Sequence, residues 1–586
     1  MLHELYCYAV DNGLVAKAGF KPKKIKAYVC LGIDGQFLGI DPPPEQAVLC
    51  PDMGSAAQSA EKCNVFVEKR SIPLSDERPK KKAFFIEALN DAAKTNDKAK
   101  VLLDVLHDSE KVNQINDSLD SQKVKSGDII GFKVDGIPLE QTVDLWWSEF
   151  RKTVSNSKKT KDAKRCIITG ELEPPVATVD KVSGLRVVGG HSSGDAIICF
   201  DKDAFCSYGL KQAENACVSE TGITAVNAAL NELISKSPVL AGAKWIHWYK
   251  NKLEDDADDY IADILGLEET AEEPEEPQDV EIDVISANKQ ANRLIESYKK
   301  GEKISSLNNI YYILSLSGAG GRVMVRTWEQ GNYEDLQKNI NLWWEDLSLV
   351  MPNGMGNLKL PPIGKINFRL LKPQKSGKMI NDRMKNELAG LESRLIYAIL
   401  NNNPLPDAVA SKALQYIRSK MLEGMEDSKR EPIPDPVCCQ ILKAWYLRKN
   451  NFKQGGNKMN VNCNPDYEAV AYQCGRMMAV YAAIQSRAMG NNLGAGVIQR
   501  YYTSASTSPA LVFGRLSQLS QHHLAKIENR GAVIYYENLL SEIAQKIGQN
   551  IPKTLNLSQQ AEFALGYYQQ RAEMFKKKEQ ANKEEE

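Results

Sequence analysis

The 586-residue sequence is poor in the patterns that build metal centres. It has six histidines and twelve cysteines, and no two cysteines form a C-x-x-C pair and no two histidines an H-x-x-x-H pair. Scattered cysteines favour free thiols in a reducing compartment rather than a disulfide framework. The sequence therefore predicts no structural metal, no metal-dependent nuclease centre and no cofactor.

Long apolar stretches are also lacking. No run approaches the length of a membrane span, and the first ten residues carry Glu4 and no basic segment. We expect a cytoplasmic protein that is not bound to a membrane.

Positive charge is missing from one part of the chain only. From Glu254 to Asp283 there is no Lys or Arg, and about half of the positions are acidic. Because the whole chain has a formal net charge of −1, the remainder is positive and permits basic surfaces. Residues 251–283, with Pro274 and Pro277, are predicted to form an acidic flexible linker.

The length of the chain predicts more than one domain. Residues 1–250 mix strand and helix patterns: a hairpin is predicted around Asp34-Gly35 and a helix within "NACVSETGITAVNAALNELIS". Residues 284–455 are mixed and mostly helical, with a strand at "GRVMVRTW". We predict an α+β multidomain protein in which a mixed α/β N-terminal region precedes a mainly helical part.

The last part of the chain, residues 456–586, is predicted to be a C-terminal four-helix bundle. Four apolar stripes at helical spacing are joined by short loops, with Asn464 as the expected N-cap of the first helix. Gly490 and Gly548 are expected to end two of the helices. This region is long enough to bury a core of its own.

The segment "VVGGHSSGDAIICF" contains the residues of a candidate active site. A serine nucleophile needs a base within reach and an acid that orients it, yet His191 directly precedes Ser192, and the pattern is not G-x-S-x-G. Two other interpretations are a tight turn that leads into a core strand, and a glycine loop that approaches DNA. In the second, Gly189 and Gly190 permit close approach of the backbone, while His191, Ser192 and Ser193 offer hydrogen-bonding groups.

Two clusters of cations could bind phosphates or could lie in solvated loops. One runs from Lys21 to Lys26, and the other contains Arg78, Lys80, Lys81 and Lys82 beside two phenylalanines. A third candidate is "QRYYTSASTSPALVF", which we predict to be a loop whose Arg500 and Tyr501 could stack on unpaired bases; the alternative is a loop packed under the bundle.

Several long motifs occur in an order that resembles a known family. They are the run from "CIITGE" through "DKDAFCSYGLKQAENACVSE" to "NAALNELI", then "YYILSLSGAGGRVMVRTW", "AYQCGRMMAVYAAIQSRAMG" and "RYYTSASTSPALVF". The sequence is similar over nearly its whole length to the large subunit of type I-C CRISPR Cascade complexes. Asp201 and Cys217 replace the Asn and Pro that are common in that family.

The resemblance implies a non-catalytic subunit of an RNA-guided complex. Such subunits join the backbone that carries CRISPR RNA and the subunits that cap its 5′ end. They recognise the protospacer-adjacent motif (PAM) in double-stranded target DNA, assist unwinding and R-loop formation, and recruit a helicase-nuclease. A different class of function, a cytoplasmic nuclease, is the alternative, and DNA cleavage with Mg²⁺ or Mn²⁺ would distinguish it.

The reading frame is also predicted to encode a second protein. Met459 follows a polar break and precedes the bundle, and Gln454-Gly455-Gly456 can be encoded by a purine-rich ribosome-binding sequence. The family resemblance implies a separate small subunit made by internal initiation. We expect that subunit to begin at Met459, where a new N-terminus would cost no packing.

Overall fold

The computed structural model describes residues 1–15, 19–54, 57, 60–156, 163–200, 202–253, 259–266, 309–371, 387–388, 390–422, 433–450, 459–490 and 496–585. The chain divides into two compact units. The first unit contains residues 1–236 and 317–324, and the second contains residues 237–316 and 325–586. The domain boundaries expected from the sequence remain predictions.

The first unit combines short strands with helices. Its helices are α1 (Leu2–Asp11), α2 (Pro79–Ala92), α3 (Asp97–His107), α4 (Ser109–Ser121), α5 (Asp144–Asn156) and α6 (Glu220–Lys236). Its strands are β1 (Phe20–Lys23), β2 (Ala27–Leu31), β3 (Phe37–Asp41), β4 (Val48–Pro51), β5 (Glu68–Lys69), β6 (Ile129–Val134), β7 (Ile137–Pro138), β8 (Lys164–Arg165) and β9 (Leu172–Glu173).

The main sheet of the first unit has the strand order β3-β2-β6-β5, with β7 paired to β6. Strands β2 and β6 run parallel, with Val29 opposite Phe132, and helices α2 to α4 lie between them in the chain. Both residues are fully buried in one core with Phe85 and Leu102 from the connecting helices. The helices therefore cover the sheet in the way expected for a parallel crossover.

Two sequence predictions for the first unit are confirmed. Strands β2 and β3 pair antiparallel, and Gly35 between them has φ +75°, a conformation that glycine adopts without strain. Helix α6 begins inside the predicted helical segment, ends one residue after it, and buries Val226, Leu230 and Leu233.

The second unit begins with strands and continues as helices. Its strands are β10 (Val239–Leu240), β11 (Ala243–Tyr249), β12 (Ile310–Ala319) and β13 (Arg322–Asn332), in that sheet order, and the ends of β12 and β13 belong to the first unit. Its helices are α7 (Tyr260–Leu265), α8 (Tyr333–Leu347), α9 (Ile363–Arg369), α10 (Leu391–Leu400), α11 (Asp407–Leu422), α12 (Pro436–Lys449), α13 (Val470–Met489), α14 (Val497–Ala505), α15 (Pro509–Leu524), α16 (Arg530–Ile547) and α17 (Leu557–Glu585).

The predicted fold class is confirmed, as is the strand at "GRVMVRTW", which is β13. Four helices after residue 456 match the four apolar stripes, and α14 is a fifth, short helix between the first two. Gly490 and Gly548 end α13 and α16 with φ +66° and +65°, as expected. Residues before and after 456 share one core, which runs from Leu240 to Ala572.

The predicted start of the first bundle helix is wrong. Helix α13 begins at Val470, whereas the Asn464 side chain accepts a hydrogen bond from the Asp466 backbone in a turn. The Gln473 side chain donates to the carbonyls of Pro465 and Tyr467, which holds the segment before the helix in a non-helical conformation. Met459 is also buried, so the chain is already packed at the proposed internal start.

Part of the predicted acidic linker is a packed helix. In α7, Tyr260, Ile261, Ile264 and Leu265 are buried, because the apolar residues of this short stretch lie at helical spacing. Residues 254–258 and 267–283 of the predicted linker lie outside the described residues. Within the described part of the chain, no helix combines the length and the apolar composition that crossing a membrane requires.

Candidate nucleic-acid interface

A cleft in the first unit brings together cations that are far apart in the sequence. This cleft is lined by Lys21, the first residue of the first basic cluster, and by Arg78 and Lys81 of the second cluster. Lys69 of β5 also lines it. Lys21 lies on β1, while Arg78 caps α2 and Lys81 lies in its first turn. The fold thus unites two basic segments that the sequence presents separately.

The charges of the cleft are only partly neutralised. Three carboxylates also line it, and two of these, Asp180 and Asp52, form ion pairs with Lys21. The third, Glu68, accepts hydrogen bonds from the backbone and side-chain nitrogens of Asn64 at 2.9 and 3.2 Å.

The other three cations of the cleft are not neutralised by these acids. Lys81 donates to the Ala57 carbonyl at 2.8 Å, and within the described residues Lys69 and Arg78 have no ion pair. With four cations and three carboxylates, the lining of the cleft keeps one net positive charge that is available to an anion such as a phosphate.

The predicted trio Lys80, Lys81 and Lys82 does not act as one group. Lys80 is paired with Glu61 at 3.1 Å and Lys82 with Asp76 at 2.7 Å, and neither lines the cleft. The hydrogen bond from Lys82 holds the pKa of Asp76 below its usual value. Of the three lysines, the structure places Lys81 alone in the cleft, because successive helical residues point in different directions.

The two glycines of the segment "GGHSSG" allow tight packing inside the first unit. Gly189 has φ +90° and ends a short 3₁₀ turn. A Cβ on Gly190 would lie 2.3 Å from a carboxylate oxygen of Asp195, and a Cβ on Gly318 would lie 2.1 Å from the Cα of Gly190. Glycine is therefore required by contacts within the protein at Gly190 and Gly318.

The fully buried Asp195 organises this glycine loop. Its carboxylate accepts from the backbone N–H of His191 at 3.1 and 3.2 Å, and its own backbone pairs with Val182. Asp195 and Ala196 make single bridges, so the core strand expected at "DAIICF" does not form. A buried carboxylate must be satisfied by local N–H groups, which favours a loop over a regular ladder.

The side chains of the same loop face solvent. The ring of His191 lies 2.8 Å from the Ser193 hydroxyl, Lys181 donates to that hydroxyl at 3.4 Å, and His191, Ser192 and Ser193 are exposed. Asp195 contacts the backbone of His191 and not its ring, so the acid of a Ser-His-Asp triad is not supplied by this aspartate. The exposed groups remain available for hydrogen bonds to a ligand.

The prediction of a loop at Arg500 and Tyr501 is wrong, because both lie on helix α14 of the second unit. Arg500 is exposed and Tyr501 is half-buried. The neighbouring Tyr502 is 1% exposed and packs edge-on against Phe563 and Tyr567, with ring centroids 5.9 and 5.3 Å away. The segment forms a helix that buries the Tyr502 ring. The many Ser and Thr residues of the segment had instead suggested a loop.

The first unit also contains an aromatic turn that was not predicted from the sequence. Ser207, Tyr208, Gly209 and Leu210 form a tight turn closed by a 2.9 Å hydrogen bond from the Leu210 N–H to the Ser207 carbonyl. Tyr208 is 100% exposed and Phe205 nearby is 50% exposed. A signal was present, since Tyr-Gly stands where tight turns usually have Asn-Gly.

The cysteines are free thiols, as the sequence predicts. Cys438 and Cys439 are fully buried in α12, and burial raises the pKa of both thiols well above the usual value. Among the described residues, no group of three or more His, Cys, Asp or Glu side chains is arranged to hold a metal ion.

Comparison with known proteins identifies the family. A family model described as CRISPR-associated protein (Cas_Csd1) matches residues 2–575, which is nearly the whole chain. A search of curated proteins finds no significant match. The chain therefore belongs to the Cas_Csd1 family of CRISPR-associated proteins and is a Cascade-type large subunit.

Proposed function

We propose that this chain recognises the PAM in double-stranded DNA as the large subunit of a type I-C Cascade complex. In this role it is non-catalytic and cytoplasmic, assists unwinding and R-loop formation, and recruits the helicase-nuclease. Its partners are the CRISPR RNA-containing backbone, the subunits that cap the 5′ end of that RNA, and target DNA.

The observation that carries this proposal is the cleft. Its four cations exceed its three carboxylates by one charge, and Lys69, Arg78 and Lys81 form no ion pair among the described residues. Duplex binding draws most of its affinity from such phosphate contacts, while a short motif needs few base contacts. The exposed His191, Ser192 and Ser193 supply hydrogen-bonding groups for phosphates or base edges, and Arg500 and Tyr501 are further candidates on the second unit.

The test compares two double variants of equal charge in the assembled complex. Arg78→Ala with Lys81→Ala removes two cleft cations, whereas Lys94→Ala with Lys236→Ala removes two exposed lysines, each paired with an acid three or four residues earlier in the chain. Binding of PAM-containing duplex is measured from about 50 to 200 mM salt. We expect the cleft variant alone to bind more weakly, with a salt slope reduced by up to about two.

Equal affinity and equal salt slopes for the two variants would contradict the role of the cleft. Wild-type binding that does not depend on the PAM would contradict the wider proposal. Incubation of the wild-type protein with DNA and Mg²⁺ or Mn²⁺ separates it from a nuclease, since cleavage would replace a non-catalytic role with an enzymatic one.

The small subunit from Met459 is part of the same proposal. A fragment of residues 459–586 keeps the close contact of α13 with α17, where a Cβ on Gly475 would lie 2.0 Å from the Phe563 carbonyl oxygen. It loses Tyr446, whose hydroxyl bonds to Tyr467 at 3.1 Å and to Glu562. In the fragment these two polar groups need water or another partner.

Changing the Met459 codon to a non-start leucine codon tests the internal start and preserves a buried apolar side chain. We expect a band of the fragment's size to disappear from purified complexes, while N-terminal sequencing of the wild-type band begins at Met459. Persistence of that band, or a different N-terminus, would contradict this start.

A further inference from the structure

The turn Ser207–Leu210 presents an aromatic ring in a way that folding alone does not explain. Tyr208 is 100% exposed, so its ring contributes no burial within the described part of the chain. Apolar side chains gain stability when they leave water, and this ring does not. The Tyr208 side chain is thus fully exposed to solvent and is not part of a packed core.

The backbone of Tyr208 adds to this anomaly. Its φ is +53° and that of Gly209 is +75°, which with the hydrogen bond from Leu210 N–H to the Ser207 carbonyl defines a turn with two left-handed central residues. Asn, Asp and Gly favour the first of these positions, whereas the Cβ of a tyrosine is strained there. Backbone strain that the surrounding structure imposes on a non-glycine residue clusters at sites that bind a ligand.

The turn is held in place from below. The Asn215 side chain accepts from the Ser207 backbone N–H at 3.1 Å and donates to the Gln212 carbonyl at 2.9 Å. Ala213, the residue after Gln212, is also fixed in place, because its backbone N–H donates to the Ala177 carbonyl at 3.0 Å and its side chain is 2% exposed. These hydrogen bonds fix the backbone that carries the Tyr208 ring, so less conformational entropy is lost when the ring binds a ligand.

The chain on either side of the ring carries an aromatic side chain, two lysines and the exposed Asp203. Phe205 is half-exposed, and the exposed Lys202 and Lys211 flank the turn in the chain. Aromatic faces beside cations match a nucleobase joined to a phosphate, because the ring stacks on the base while the lysines attract the backbone.

We propose that Tyr208 stacks on a nucleobase, with Phe205 as the adjacent aromatic surface and Lys202 and Lys211 as phosphate contacts. The inference rests on the proposed function, and it names the stacking element of that function. The base belongs either to target DNA or to guide RNA, which present the same chemistry. The alternative occupant is the surface of a partner protein, and the experiment below distinguishes it from a nucleobase.

The experiment uses four forms of the full chain: wild type, Tyr208→Phe, Tyr208→Ala and Tyr208→Asn. Binding of PAM-containing duplex is measured with assembled complexes, and binding of guide RNA is measured with the full chain before assembly. Each nucleic acid carries 2-aminopurine, whose fluorescence reports stacking. Loss of one stacked ring weakens binding by about tenfold or more. We expect that loss for the Ala and Asn variants with one of the two nucleic acids, and a change of less than about twofold for Phe.

Tyr208→Asn carries a second readout that separates binding from folding. Because Asn tolerates the left-handed conformation, this variant is expected to melt at a higher temperature than wild type while it binds more weakly. Tyr397→Ala is the matched control, since Tyr397 is 47% exposed on helix α10 and lies in a regular helix. The control is expected to bind both nucleic acids like wild type.

Wild-type affinity of Tyr208→Ala for both DNA and RNA would overturn the inference. The loss of a protein subunit from the Ala variant, with nucleic-acid binding unchanged, would overturn it as well. Wild-type chain that binds duplex without regard to the PAM contradicts the proposed function instead, so the two failures are distinguishable.

Discussion

The second unit buries charged and amide side chains within its helices, whereas the first unit displays charged and aromatic groups at its surface. Arg476 is 1% exposed and donates to Gln570 at 2.7 Å and to Gln473 at 2.8 Å. In the first unit, Lys69 and Arg78 are exposed, and so is the ring of Tyr208. Buried hydrogen-bonded networks specify one packing, while exposed strained groups are available to a ligand.

The two units are therefore expected to tolerate substitutions at different kinds of position. In the second unit, the backbones of α13 and α17 approach each other closely at Gly475 and Gly566, so a larger side chain does not fit at either glycine. In the first unit the closest such contact among the described glycines lies beneath the glycine loop, where a Cβ on Gly318 would lie 2.1 Å from the Cα of Gly190. We expect substitutions at these buried glycines to change stability, and substitutions at exposed side chains of the first unit to change binding.

The largest effect is expected at the crossing of α13 and α17. A Cβ on Gly475 would lie 2.0 Å from the Phe563 carbonyl oxygen, and a Cβ on Gly566 would lie 2.1 Å from that of Tyr472. Either Gly→Ala change forces the helices apart and should destabilise the protein by more than about 3 kcal/mol. Thermal melting measures this loss.

Gly514→Ala is the matched control for that crossing. Gly514 lies in helix α15, and a Cβ there meets nothing within 4 Å. Alanine should leave stability unchanged or raise it by up to about 1 kcal/mol. Equal melting temperatures for Gly475→Ala and Gly514→Ala would show that the two helices do not cross this closely.

A smaller loss is expected from Gly318→Ala in the first unit. The new Cβ would lie 2.1 Å from the Cα of Gly190, so the glycine loop must shift, at a cost of about 2 kcal/mol. Limited proteolysis and thermal melting both report such a shift. Gly127→Ala, where a Cβ meets nothing within 4 Å, is the control.

His191→Ala sharpens the same comparison. It removes an exposed ring but keeps the backbone N–H that Asp195 accepts. Its melting temperature should match wild type, and a large drop would mean that the side chains of the loop support the fold after all.

A further effect concerns the buried Glu392 of α10 and depends on pH. Desolvation raises the pKa of this carboxyl to about 8, although Asn367 donates to it. The folded state therefore holds a proton that the unfolded state releases, so stability is full below about pH 4.3 and is lost as pH rises towards 8. Glu392→Gln should remove this loss and stabilise the protein by about 1 to 2 kcal/mol at pH 8.

Melting at pH 5 and pH 8 checks this prediction, with the exposed Glu334→Gln as the control. The gain from Glu392→Gln should be larger at pH 8 than at pH 5. A gain that is equal at the two pH values would show that Glu392 ionises normally within the helical core.

Regular elements could be predicted from the sequence where local chemistry decides them. The hairpin at Gly35, the helix α6 and the helix ends at Gly490 and Gly548 follow from turn residues and from the spacing of apolar side chains. The start of α13 could not be predicted, because Asn464 suits a turn and a helix cap equally well, and Gln473 selects the turn.

The candidate site was predictable in its residue types and not in its arrangement. The basic segments, the glycines that permit close approach and the family order of the motifs can all be read from the amino-acid sequence. That Lys81 and Lys21 share a cleft while Lys80 and Lys82 pair elsewhere follows from how the chain folds. The tertiary structure also determines that Asp195 is buried and Tyr208 is exposed, because burial depends on contacts between residues far apart in the chain.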